Sequence, residues 1–93
     1  MAKVVLPNSV EAEILEIGYA IAADDPAAAI RMTKRLYQRC HSLDVFPFRG
    51  SKYSDQLRRV FEEPYQIIYR VDESVEPTTV YIVTVRHMSR SRF

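Results

Sequence analysis

Apolar residues recur with a helical period in the first half of the chain and with a period of two in much of the second. Val10, Ile14, Ile17 and Ile21 return at spacings of four, three and four, which predicts one buried stripe on a helix, with Glu11, Glu13 and Glu16 mostly off it. Asn8 ahead of this stripe is a candidate N-cap, and Glu11 three residues later completes a capping box. The helix fades at Ala23-Asp24. Asp25-Pro26 then predicts a fresh start, with Asp25 as N-cap and Pro26 at the first helical position, where its missing N–H costs nothing. Ala29, Met32, Leu36, Cys40 and Leu43 form the second stripe. So short a joint between two helices predicts an antiparallel hairpin.

Strand signals flank the hairpin. Lys3 to Leu6 reads as a short strand ended by Pro7. Phe46-Pro47-Phe48-Arg49-Gly50 breaks the helical period, and a polar loop runs on to Asp55. Leu57 to Glu62 predicts a second strand. Tyr65 to Asp72 predicts a third, with Tyr65, Ile67, Tyr69 and Val71 on one face and Gln66, Ile68 and Arg70 on the other. Glu63-Pro64 and Glu73 to Pro77 supply the turns. Thr79 to Arg86 is apolar on both faces, as befits a strand inside a sheet. The expected fold is α+β with the order β-α-α-β-β-β. It is an antiparallel sheet, made of a three-stranded meander plus an N-terminal edge strand, packed against a helix hairpin.

Ninety-three residues, 47% of them apolar, make one globular domain over 1–93 and no second core. Met1 to Leu6 lacks the apolar run of a secretory leader, and no stretch approaches a membrane span of about 18 apolar residues. A single cysteine, Cys40, excludes an internal disulfide and any cysteine-based zinc site, and a reducing cytoplasm is the expected compartment. No metal or cofactor is expected. Cys40 falls on the apolar stripe, the place of a small core residue rather than a nucleophile.

Charge adds what the net value of +1 conceals. Residues 1–25 hold Lys3 against five acids, whereas residues 31–59 hold eight bases against Asp44 and Asp55. Acid returns over residues 60–85, and the last eight residues add Arg86, Arg90 and Arg92 with no acid. If folding unites the two basic blocks, they make one surface for an acidic partner or a phosphate backbone.

The element order and several local stretches together resemble the RelE/ParE toxin superfamily across essentially the whole chain. The resemblance is carried by Glu11 to Ile17 running into Tyr19-Ala20-Ile21-Ala22, by the Asp25-Pro26-Ala27-Ala28-Ala29 restart, and by Leu43 to Gly50 between helix and sheet. Leu57-Arg58-Arg59-Val60, Pro64 to Val71 and Val83-Thr84-Val85-Arg86-His87 resemble the three meander strands. The resemblance implies a type II toxin held silent by a cognate antitoxin. It also implies one of two activities. RelE-like members cut messenger RNA in the ribosome with basic residues of the meander and a basic or histidine residue near the C-terminus. ParE-like members share the fold and poison DNA gyrase without that site.

Metal-free RNA cleavage needs a base for the 2′-OH, a cation for the phosphorane and an acid for the leaving oxygen. Arg59, Arg86, His87 and Arg90 are the candidates for that alternative. However, the arginine that RelE-like enzymes place after the strand's opening aromatic falls here on neutral Gln66, and no lysine occurs between Leu57 and Phe93. The resemblance therefore inclines to the ParE side, with no catalytic residue assigned. Arg86, His87 and Arg90, with Arg58, are then the expected gyrase contacts, and ribosome and messenger belong to the alternative. A non-toxic member that kept the fold is a third reading. His87 is expected to be a strand-end imidazole capped by a backbone carbonyl, and His41 to meet the C-terminal dipole of its helix. Arg31, Lys34, Arg35 and Arg39 beside an apolar stripe suit an acidic amphipathic segment of the antitoxin.

Overall fold

The structure, a computed structural model, describes residues 1–90. Arg92, part of the basic C-terminal block, lies outside them. The elements are β1 (Lys3–Val5), α1 (Asn8–Ala22), α2 (Pro26–His41), a 3-10 turn (Ser42–Asp44), β2 (Ser51–Lys52), β3 (Arg58–Glu62), β4 (Tyr65–Asp72) and β5 (Thr79–His87). Asp25 caps α2 as expected: its carboxylate accepts from the Ala28 N–H at 3.1 Å. The capping box at α1 does not form. Asn8 is already helical, Pro7 is the N-cap residue, and the Pro7 carbonyl takes the N–H groups of Val10 and Glu11.

The five strands form one sheet in the order β1-β5-β4-β3-β2. The meander β3-β4-β5 is antiparallel, but β1 runs parallel to β5, with Val4 beside Val80. The sheet is therefore mixed, which corrects the antiparallel expectation. The physical reason is the helix hairpin. The hairpin brings the chain back to the start of β1, where the Ala2 N–H donates to the Asp44 carbonyl at 2.7 Å, so β3 sets out in β1's direction and β5, two antiparallel steps later, runs the same way. The polar loop contributes a further short edge strand, β2, paired with β3.

Val10 and Ile14 of α1 and Leu36 and Cys40 of α2, with Leu43 just beyond it, pack on Val60, Ile67, Tyr69, Val80, Ile82 and Val85 of the sheet. Ile17, Met32, Tyr65 and Val71 are half-buried around this core. Burial pushes the Cys40 thiol up to about 12, so it stays protonated and unreactive near neutral pH. Among the described residues no helix is long and apolar enough to cross a membrane.

Pairing stops along β1 at Tyr81, and the next stretch of β5 has no neighbouring strand on that side. The Glu13 carboxylate fills the gap. It accepts from the Val85 N–H at 3.0 Å and from the Thr84 hydroxyl at 2.7 Å. Val83 is left unpaired opposite the Ile68/Tyr69 register shift, a bulge beside this contact.

Candidate functional site

Strand alternation and register sort the meander's side chains into two faces. Val60, Ile67 and Tyr69 face the helices, so Arg59, Phe61, Gln66, Ile68, Arg70, Tyr81, Thr84 and Arg86 share the open face. The acid that shares this face, Asp72, lies at the far end of β4 and accepts from the Ser74 N–H and hydroxyl. Arg59 on β3 and Arg86 on β5 flank Gln66 on β4, so one arginine from each basic block reaches the same surface. The helix bases Arg31, Lys34, Arg35 and Arg39 stand in the other layer.

Gln66 is nearly solvent-free, and its amide is committed at both ends. Its Oε1 accepts from Arg59 at 3.4 Å, and its Nε2 donates to the Arg90 carbonyl at 3.2 Å. The Arg59 guanidinium lies against Tyr53 and Phe61, at 5.3 and 5.2 Å from the ring centroids. Its Nε is buried without a hydrogen-bond partner. Arg70 covers Tyr81 at 4.6 Å. Cation–π contact holds these side chains flat on the sheet.

His87 follows Arg86 and so points to the opposite face, where its ring meets Tyr65 edge-on at 5.5 Å and 81°. Its Nδ1 accepts from the Ser89 N–H at 3.0 Å. A backbone amide, not a carbonyl, thus caps the ring, because the chain turns back over it at Met88-Ser89; the remaining proton of the neutral ring sits on Nε2. Arg58, also on the helix side, begins β3, whereas His87 stands level with its far end, across Tyr65 from Glu62. Arg58 donates to the carbonyls of Phe48 at 3.3 Å and Gly50 at 2.8 Å. The structure thus brings Arg59, Arg86 and the backbone of Arg90 together around Gln66. It separates His87 and Arg58 from them and from each other.

On the helix layer the basic cluster is split. Arg35 and Arg39, with Arg49, line a polar groove of about 210 Å³ between α2 and the end of β3, where Arg39 pairs with Glu62 at 3.4 Å. Arg31 and Lys34 follow Ile30 and Thr33, which line a separate apolar groove of about 380 Å³ between α1 and α2. Leu15, Tyr19 and Ile30 are exposed around it.

Gly50 was not singled out by sequence reasoning, yet it ties the loop to the core. Its N–H donates to the Tyr69 hydroxyl at 2.9 Å. Burial raises the Tyr69 phenol above its ordinary range, against the opposing pull of the Gly50 amide and of Arg58 and Arg49. The Phe61 ring beside Arg59 was legible as an i, i+2 neighbour on one strand face. Glu13 and Gly50 carried no local signal. Among the described residues no group of three or more His, Cys, Asp or Glu side chains could hold a metal ion.

A helix hairpin on a five-stranded mixed sheet, with a largely cationic and aromatic open face, defines a small α+β domain. The profile of the family "ParE toxin of type II toxin-antitoxin system, parDE" matches residues 4–92, and the chain belongs to that family. Among solved structures it is similar to a chain of the "Chromosomal ParDE TA system from P. aeruginosa", with a TM-score of 0.74 and 14% identity over 94% of this chain and 96% of that one. That likeness is one of fold. No curated protein matches the sequence.

Proposed function

We propose that this toxin acts in the cytoplasm on DNA gyrase and is neutralised by a cognate antitoxin, with no nuclease site of its own. The observation that carries the reading is the neutral, buried Gln66 between Arg59 and Arg86, with His87 turned to the other face of the sheet. A phosphoryl-transfer site needs its cations and its proton carrier converging on one phosphate. Losing one such preorganised donor costs about 10²–10³ in rate. Here one cation position is an amide already bound at both ends, and the only imidazole near the strand end is on the wrong side.

Target contact is assigned to Arg86, His87 and Arg90 at the exposed end of β5, where His87 and Arg90 are solvent-facing. Arg58, expected among these contacts, lies apart from them, bound to the Phe48 and Gly50 carbonyls. The antitoxin is assigned to the basic side of α2, with Arg31, Lys34, Arg35 and Arg39. One observation favours the alternative of messenger cleavage: Arg59 and Arg86 do share a face.

Pulse labelling after induced expression separates the two. Gyrase poisoning lowers thymidine incorporation before leucine incorporation, and co-expressed antitoxin restores both. Early loss of leucine incorporation with DNA synthesis intact would contradict the gyrase reading.

A further inference from the structure

The loop after α2 presents an unusual amount of bulky apolar surface. Val45, Phe46 and Phe48 are 53%, 61% and 46% exposed. They are not loosely held. Arg49 covers the Phe46 ring at 5.5 Å, Arg58 covers the Phe48 ring at 5.1 Å, and Arg58 also binds the Phe48 and Gly50 carbonyls. The Gly50–Tyr69 hydrogen bond fastens the loop's far end to the core. Exposed rings that are already ordered lose little freedom on binding. Aromatic residues interleaved with arginine are also the composition that dominates binding energy at interfaces.

The loop borders the polar groove, and Arg49 lines both: the groove of about 210 Å³ with Arg35 and Arg39, and the apolar depression formed by residues 45–49. Three arginines here face one carboxylate, Glu62, which pairs with Arg39. Among the described residues no ion pair engages Arg35 or Arg49. Excess positive charge beside preordered aromatic anchors is the complement of an acidic segment with large apolar side chains.

We infer that the antitoxin is held at this composite surface, through an acidic segment whose carboxylates meet Arg35 and Arg49 and whose apolar side chain packs on Phe46 and Phe48. This rests on the reading of the chain as a toxin with a cognate antitoxin. The competing surface is the apolar groove on the outside of the hairpin, whose lining residues carry no charge.

Calorimetric titration of the full-length toxin with its cognate antitoxin tests the inference, with melting curves confirming that each variant is folded. Phe46→Ser/Phe48→Ser and Arg35→Glu/Arg49→Glu are each expected to weaken binding by about 100-fold, and the arginine pair also to flatten its salt dependence. Leu15→Ser/Ile30→Ser should stay within about threefold, as expected of residues outside the binding hot spot. Loss confined to the Leu15/Ile30 variant, or full affinity in both of the others, overturns the inference while leaving the antitoxin reading intact. No binding by the parent toxin would overturn both.

Discussion

Adding one methyl group at Gly50 should destabilise the domain far more than adding one at Gly18. A Cβ on Gly50 would stand 2.6 Å from the Tyr69 hydroxyl, 2.7 Å from the Arg59 carbonyl oxygen and 2.9 Å from Tyr69 Cε1. Tyr69 is fully buried, and Arg59 is fixed in the β2–β3 ladder, so neither neighbour gives way readily. Overpacking of this kind costs about 1–3 kcal/mol. Moving the phenol aside would also break its bond to the Gly50 N–H and strand a buried polar group, at about 1–3 kcal/mol more. A total of about 2–6 kcal/mol, at about 4–8 °C per kcal/mol for a domain of this size, lowers the melting temperature by about 8 °C or more. At Gly18 the new Cβ meets only the Thr33 methyl, at 3.0 Å, and alanine is a better helix former than glycine by about 0.8–1.0 kcal/mol. Thermal melts followed by circular dichroism compare the two. Tyr69→Phe in the Gly50→Ala background should recover part of the loss by removing the nearest oxygen. Refutation would be a Gly50→Ala protein that melts with the parent, or one that Tyr69→Phe only weakens further.

Three other outcomes follow from the core and its edge. Leu36→Ala and Ile67→Ala each empty a fully buried position and should cost about 2–5 kcal/mol in urea denaturation; parent-like midpoints in both would mean that the two apolar stripes do not form the core. Glu13→Ala leaves the Val85 N–H and Thr84 hydroxyl without their acceptor and should cost about 1–3 kcal/mol, whereas Glu13→Gln keeps one acceptor and costs less. Equal loss in the two variants would argue against the edge contact. Cys40 should resist iodoacetamide at pH 8 until the chain is unfolded. Because its folded value lies above the unfolded one, near 9, its contribution to stability is full below pH 9 and lost as pH rises toward 12. Rapid labelling of the native protein would refute this.

The parts of the fold that repeat along the chain were legible. Val10 to Ile21 and Ala29 to Leu43 gave the hairpin, Asp25-Pro26 gave its joint, and the alternation around Tyr65 to Asp72 placed Ile67 and Tyr69 inward. These signals are local, because a side chain's face follows from the backbone period alone. The direction of β1 was not legible, since a strand as short as Lys3-Val4-Val5 looks the same parallel or antiparallel and only chain closure decides. Glu13 was read only as lying off the apolar stripe. Its partners lie 71 and 72 positions away, beyond the reach of any periodicity. Gln66 was recognised for the charge it lacks, but its bonds to Arg59 and to the Arg90 carbonyl depend on strand register and on the turn after β5. The separation of His87 from Arg86 was implicit in their adjacency on one strand. The same alternation puts Arg58 and Arg59 on opposite faces of β3, and the register extends it across the meander.

The most direct test of gyrase as the target is a supercoiling assay with purified toxin, run in parallel with primer extension on ribosome-bound messenger. Supercoiling should fall with increasing toxin and return on addition of antitoxin, while the messenger stays intact. Substitution of exposed Arg90 and His87 should relieve the inhibition. Codon-specific cleavage of the messenger, lost in His87→Ala, with supercoiling untouched, would contradict the gyrase reading and place the chain among the nucleases.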